Sequence, residues 1–373
     1  MPPKIVVLGA TGYTGDLIVE SLVRRGGSPV LAGRNPQKLA DASARHARLP
    51  TRVVDATDAA AVAGILSPGD VLVSTVGPFE KVGWAGAEAA VRAGAHYLDT
   101  TGEVGFVRAL QDRHDGAART AGILMLPAFG YDYVPGMLAG ALALERAGAD
   151  ATTLRIGYFA AGSLRGGISK GTRATLAAGI LQSSPVWREG RLQEAPTAGR
   201  THAFDLRGST RTGILVSGTE VLFLPPLYPT LQTVEDYNGW FPRTARLMPL
   251  ITRLARGIGT VPAGRRLIER MAGAGGGSSP GPDAAARART RTRVVATASD
   301  AAGVMVAEAH LDAPSPYTLT ADLVAVAAER LRSSVPAAFG VQGPIQGFGL
   351  AGLQEMGADV GMTVDVSSGP RGG

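Results

Sequence analysis

Short apolar runs alternate, over roughly the first third of the chain, with longer stretches whose apolar residues recur at helical spacing. Ile5-Val6-Val7-Leu8, Pro29-Val30-Leu31-Ala32, Arg52-Val53-Val54-Asp55, Asp70-Val71-Leu72-Val73-Ser74-Thr75, Ala95-His96-Tyr97-Leu98-Asp99 and Ile123-Leu124-Met125-Leu126 read as six strands. Helices are expected between them, including Asp16 to Arg25 and Asp58 to Leu66. Such alternation implies a doubly wound α/β fold of the Rossmann type, a parallel sheet with helices on both faces.

Beyond about residue 150 the pattern changes. Residues 153–159 and 218–224 alternate apolar with polar positions, as strands of an antiparallel sheet with one covered face do. Residues 291–297 and 304–309 flank Asp300-Ala301-Ala302-Gly303 and read as a hairpin. Residues 272–286, rich in Gly, Ser, Pro and Ala, read as a mobile loop. Arg287, Arg289, Arg291 and Arg293 share one face if the following strand extends that far, either as a solvated face or as a docking surface for an acidic partner. Arg243, Arg246, Arg253 and Arg256 interleave with Leu247, Leu250, Ile251 and Leu254 as in an amphipathic helix. Its apolar side is expected to pack on the domain, with an acyl-pocket cover or a membrane surface as the other readings.

The first strand runs directly into Gly9-Ala10-Thr11-Gly12-Tyr13-Thr14-Gly15. Glycines there allow a tight turn and a close approach of backbone to a pyrophosphate, whose charge then sits at a helix N-terminus. Gly9, Thr11, Gly12, Tyr13, Thr14 and Gly15 are therefore candidate dinucleotide contacts. At the end of the second strand an acid that would read a ribose is missing, and Arg34 stands there, followed by Asn35 as a helix cap before Pro36. An arginine in that place suits a 2′-phosphate, so NADP(H) is expected over NAD(H). Asp55 is a candidate for the adenine edge or a turn residue. Val76, Gly77 and Pro78, after the fourth strand, are expected near the nicotinamide.

The loop after the sixth strand, Pro127 to Gly136, carries Tyr131, Asp132 and Tyr133 at a strand's carboxyl end, where groups able to move protons would face substrate. Asp132 equally suits the cap of a helix beginning near Pro135. Lys170 precedes an expected helix and could meet a carboxylate, thioester or phosphate.

Composition narrows the chemistry. There is no cysteine, so disulfides, thiolate metal sites and cysteine nucleophiles are excluded, and the five histidines show no metal-ligand spacing. No metal is expected. The net charge of +6 comes without a nucleic-acid-binding motif, and no apolar run approaches the ~18–20 residues of a membrane span. With Met1-Pro2-Pro3-Lys4 leading straight into a strand, a cytoplasmic protein is expected, with no integral membrane segment and no nucleic-acid partner.

Taken together, Gly9 to Gly15, Val73-Ser74-Thr75-Val76-Gly77-Pro78-Phe79, Tyr97-Leu98-Asp99-Thr100-Thr101-Gly102-Glu103 and Phe129-Gly130-Tyr131-Asp132-Tyr133-Val134-Pro135-Gly136-Met137-Leu138 resemble the saccharopine dehydrogenase-like reductase family, including its trans-acting enoyl reductase branch. Gly166 to Thr172, around Lys170, and Ser315-Pro316-Tyr317-Thr318-Leu319-Thr320 look like further segments of that family. The resemblance implies an NADP-binding domain over 1–132, a mixed α/β substrate domain on a largely antiparallel sheet over 133–334, and a segment 335–373 that packs back on the first. Where relatives read Gly-Phe-Asp-Ser-x-Pro-Ser-Asp, this chain has two tyrosines, Tyr131 and Tyr133, so a remodelled substrate pocket is expected.

The expected activity is transfer of a hydride from NADPH to a polarised double bond, either a conjugated C=C of the enoyl thioester type or a C=N. An imine or saccharopine-type C=N oxidoreductase in amino-acid or natural-product metabolism is the alternative, and a non-catalytic NADP(H)-binding sensor is the rival of another class. Tyr131 or Tyr133 would donate a proton while Lys170 or Asp132 orients a small-molecule substrate, free or carrier-protein-bound. No tyrosine is followed four residues later by lysine, which argues against the short-chain dehydrogenase mechanism. Whether the chain forms a homodimer stays open.

Overall fold

Strands buried on both faces must be apolar throughout, and β1 (Ile5–Leu8) and β4 (Val71–Ser74) are buried at every position. They lie side by side and parallel at the centre of a sheet completed by β2 (Val30–Gly33), β3 (Thr51–Val53), β5 (His96–Asp99), β6 (Leu124–Leu126) and β15 (Gly340–Val341). The order is β15-β6-β5-β4-β1-β2-β3. Its first six strands in sequence have the Rossmann order 3-2-1-4-5-6, so the direction of winding reverses between β1 and β4. This computed structural model describes residues 2–46, 48–161, 183–240, 245–259 and 281–369.

The chain divides into two units, Met1–Val134 with Pro316–Gly361, and Pro135–Ser315 with Met362–Gly373. The return to the first unit thus begins at Pro316, earlier than the expected 335. The helix Pro316–Ser333 buries Leu319, Leu323, Val324, Ala325, Ala327 and Ala328, and Asp322 on it accepts a hydrogen bond from Ser21 Oγ at 2.5 Å. That apolar face accounts for the earlier boundary. β16 (Thr363–Ser368) leaves again and pairs with the second sheet.

That second sheet runs β10 (Thr201–Asp205), β11 (Thr210–Val216), β12 (Thr233–Asn238), β7 (Thr153–Ala161), β13 (Arg291–Ser299), β14 (Met305–Ala313), β16, with β8 (Ser183–Arg188) pairing to β12 and to β9 (Arg191–Pro196). Among the described residues of this sheet, the β7–β12 pair alone is parallel. One face meets the helix Val134–Ala147, whose Gly140 lies against Leu154, Ile156 and Leu224. The other buries Phe159, Val186, Phe204, Leu215 and Tyr237 under the β8–β9 hairpin.

Three expectations change. Residues 218–224 form no strand: Glu220–Phe223 is a short helix, which turns Glu220, Val221, Phe223 and Leu224 all inward where a strand would turn out every second one. The four alternating arginines do not share a face. Asp283 caps a helix Ala284–Arg289 by accepting from Ala286 N at 2.7 Å, and β13 begins only at Arg291, so Arg287 and Arg289 belong to the helix. The same helix takes up residues 284–286 of the expected loop, and residues 272–280 lie outside the described residues, as does Lys170.

Candidate functional site

The carboxyl ends of β1, β4, β5 and β6 carry the four motifs. Gly9, directly after β1, has φ of +88°. A Cβ there would lie 2.6 Å from Thr75 Oγ1 and 2.9 Å from Val76 Cγ2, and one on Gly15 would lie 2.3 Å from the Gly9 carbonyl oxygen. No side chain fits at either place. The glycines let the loop press on the end of β4 and let the helix Tyr13–Arg24 start against the loop. Gly12 is its N-cap and has no side chain to cap the first turn, so an anion can approach the Thr14 and Gly15 amides at the positive end of the helix. This cradle fits a dinucleotide pyrophosphate.

Past β2, Arg34 is exposed and Asn35 caps the helix Pro36–Arg45, its Oδ1 accepting from Lys38 N at 2.9 Å. Asp55 Oδ1 accepts from the Thr57 amide at 2.9 Å and the Thr57 hydroxyl at 2.8 Å. Those bonds, with the charge of Arg34, hold its carboxyl below the usual range. Its carboxylate therefore closes a turn.

Two carboxylates fix the loops around the strand ends. Glu103 accepts from the amides of Phe79 and Glu80, each at 2.8 Å, and so holds the segment that follows Val76, Gly77 and the cis Pro78. Asp99 is fully buried at the end of β5, and its Oδ1 accepts from Thr101 N at 2.9 Å and Ala128 N at 2.8 Å. It ties the loop after β5 to the loop after β6. Burial raises its carboxyl to about 6 even against those two amides.

The loop after β6 places its three candidates differently. Tyr131 is buried and its amide donates to Thr320 Oγ1 at 3.0 Å. Tyr133 is buried too, and its hydroxyl donates to the Gly102 carbonyl at 2.8 Å. Asp132, joined to Tyr133 by a cis peptide, stays open to solvent, yet the protein packed around it raises its carboxyl to about 6. It does not cap the helix Val134–Ala147, since no hydrogen bond is formed to its carboxylate among the described residues.

Tyr317, at the start of the helix Pro316–Ser333, completes this corner. Its ring meets that of Tyr13 edge to face, with centroids 5.1 Å apart. Burial raises its phenol, and Tyr13 and the Asp132 charge add to the rise. The fold thus brings the glycine loop, Asp132 and Tyr317 together from three parts of the chain. Sequence reasoning quoted Tyr317 and Thr320 only as part of a look-alike segment and assigned Glu103 no task. The only signal for Tyr317 was an aromatic hydroxyl at a helix start, which needs the tertiary fold to acquire meaning.

A parallel sheet with a glycine cradle at its reversal point defines a dinucleotide-binding α/β protein. Residues 5–126 match the profile of the saccharopine dehydrogenase NADP binding domain. A putative trans-acting enoyl reductase of Mycobacterium tuberculosis (strain H37Rv) is 34% identical over 179 residues, 46% of this chain and 43% of that protein. A trans-acting enoyl reductase of Mycobacterium ulcerans is 33% identical over 40% of this chain and 37% of its own length. The chain therefore matches about two fifths of the length of these relatives. Apo saccharopine dehydrogenase (L-Glu forming) from Saccharomyces cerevisiae superposes with a TM-score of 0.67, covering 99% of this chain and 100% of that one at 12% identity, a likeness of fold. Among the described residues no helix is long and apolar enough to cross a membrane, and no group of three or more His, Asp or Glu is placed to hold a metal ion.

Proposed function

We propose that the chain is an NADPH-dependent reductase of conjugated C=C bonds in enoyl thioesters, with Asp132 as the proton donor. The observation that carries this is the state of Asp132: open to solvent, free of hydrogen bonds among the described residues, raised to about 6, and near enough for its charge to raise the phenol of Tyr317, whose ring meets the glycine loop's Tyr13. A carboxyl in that state keeps its proton near neutrality far better than an ordinary aspartate, as a general acid requires. The trans-acting enoyl reductase relatives support the choice of C=C over C=N.

When bound, NADPH supplies the hydride, and the organic chemistry is the cofactor's own. The residues of this chain would hold it. First-turn amides at Thr14 and Gly15 would take the pyrophosphate, and Arg34 would take the 2′-phosphate, as its exposed place past β2 allows. Gly77 and Pro78, which precede the two amides that Glu103 holds, would line the nicotinamide end. Hydride added at the β-carbon of an enoyl thioester leaves charge on the thioester oxygen and α-carbon. Asp132 gives its proton to the α-carbon, becomes a carboxylate, and is reprotonated from solvent. Tyr317 orients the substrate or Asp132. Tyr133 donates its hydroxyl proton to Gly102 and instead shapes the wall.

Oxidation of NADPH followed at 340 nm with short and long enoyl thioesters, free and carrier-bound, and with cyclic imines tests the reading. Turnover of enoyl thioesters that falls in Asp132→Asn supports it. Turnover of imines alone points to C=N chemistry, and nucleotide binding without turnover on the whole panel points to a sensor.

A further inference from the structure

The helix Met248–Gly259 is built the wrong way round for a helix that only supports a core. Met248 and Pro249 open it, proline being well tolerated in a first turn. Its attachment to the second unit is narrow: Thr252 is buried with its hydroxyl 3.4 Å from the Thr197 carbonyl, and Met248 packs with Ala245 on Ala198 and Ile214. At 100° per residue Met248 and Thr252 share one side. Leu247, at the end of the 3-10 turn Ala245–Leu247 that leads into the helix, and Leu250, Ile251 and Leu254 on the helix follow i, i+3, i+4, i+7 spacing on a stripe that points away from that side. The expectation that this apolar side packs on the domain is overturned, because Leu247, Leu250 and Leu254 are 60%, 58% and 59% exposed.

Large apolar side chains in water are costly, and three leucines and an isoleucine adjacent on one face are not scattered surface residues. Arg246 and Arg253 are exposed too, and by helical angle they fall together along one border of the leucine stripe. Residues 245–259 contain three arginines and no acid. Convex leucines bordered by long cationic side chains fit an interface that is apolar below and anionic above, where the aliphatic stems lie along the acyl region and the guanidinium groups reach the headgroups. A folded protein partner would have to supply an apolar groove with an acidic rim, whereas an anionic lipid leaflet supplies both layers everywhere.

We infer that the helix Met248–Gly259 seats the protein peripherally on an anionic lipid surface, with Leu247, Leu250, Ile251 and Leu254 inserted and Arg246 and Arg253 on the headgroups. This attachment does not depend on the reaction proposed above. It would place the protein where long acyl chains partition.

The test is flotation of the full-length protein with vesicles of phosphatidylcholine alone and of phosphatidylcholine with phosphatidylglycerol in equal parts. Binding to the anionic vesicles, weakened by 0.5 M salt, is expected. Leu250→Glu with Leu254→Glu should abolish it while NADPH binding and melting temperature stay as in the unaltered protein. Arg246→Gln with Arg253→Gln should lower affinity for anionic vesicles roughly 30-fold, from about 1 kcal/mol per basic residue at such a surface. No binding to either vesicle overturns the inference. So does a concentration-dependent dimer in sedimentation that the paired leucine variant dissolves, or an acidic carrier protein that competes the protein off this helix in the absence of lipid.

Discussion

The Glu103 carboxylate clasps the amide of Phe79, and with its second oxygen that of Glu80, each at 2.8 Å. Two motifs that are 24 residues apart in sequence are thereby one object: the acid at the end of the loop after β5 holds the glycine-proline turn after β4. Glu103→Ala is expected to lower stability by about 1.5–3 kcal/mol, the range for hydrogen bonds to a charged group. It should also weaken NADPH binding, read by nucleotide fluorescence titration. Glu103→Gln, which retains one acceptor, should fall between. An unchanged nucleotide affinity in Glu103→Ala would leave Glu103 with a purely local task.

Asp132 makes a pH prediction with a definite sign. Its carboxyl is raised to about 6, so the acid form dominates below that pH and falls tenfold per pH unit above it. If Asp132 donates the proton, kcat declines as pH rises through about 6, and Asp132→Asn loses both the decline and about 10²–10⁴ of the rate. The same shift enters stability. Because the folded state binds this proton more tightly than the unfolded one, the wild type loses relative stability as pH rises from about 4 to about 6. Asp132→Asn should therefore melt higher than wild type at pH 7 and with little difference near pH 4.

Gly15→Ala should abolish nucleotide binding although glycine contributes no side-chain contact of its own. Its new Cβ would stand 2.3 Å from the Gly9 carbonyl oxygen, so the loop and the helix Tyr13–Arg24 must separate. Loss of NADPH-induced thermal stabilisation is the readout. Gly26→Ala is the matched control on the same helix's exit: it has open space around it but φ of +84°, and should cost modest stability while leaving nucleotide binding intact.

Arg34→Ala is expected to raise the dissociation constant for NADPH about ten- to 150-fold, the equivalent of one charge-assisted contact. That for NADH should barely change. Equal losses for both nucleotides would remove Arg34 from the 2′-phosphate.

Much of the first unit was legible because its physics is local. A parallel strand covered on both faces has to be an apolar run, and β1, β4 and β5 could be read within a residue or two of their ends. The glycine cradle was legible for the same reason, since close approach demands glycine wherever it occurs. The 218–224 segment was misread because apolar alternation does not distinguish a strand from a single helical turn that buries nearly every residue. The arginine series misled because a two-residue repeat says nothing of the helix that Asp283 caps over 284–289, which takes Arg287 and Arg289 out of the strand. Tyr317 and Thr320 lie almost 190 residues beyond Tyr131, and no periodicity reports a meeting across that distance. The outward leucines were visible as a stripe, but a stripe does not say which way it faces.

β15 has a consequence for synthesis. Gly340 N bonds to Ile123 O and Gln342 N to Met125 O, each at 2.9 Å, while Val341 N reaches Asp115 Oδ1. Until that late strand leaves the ribosome, the outer side of β6 is an open edge, and the whole second unit up to Ser315 has been made in the meantime. The nucleotide-binding half is begun first and finished second. It cannot be moved between genes as a contiguous cassette, and a nascent chain stalled before residue 340 would carry an unpaired strand edge beside its cofactor cradle.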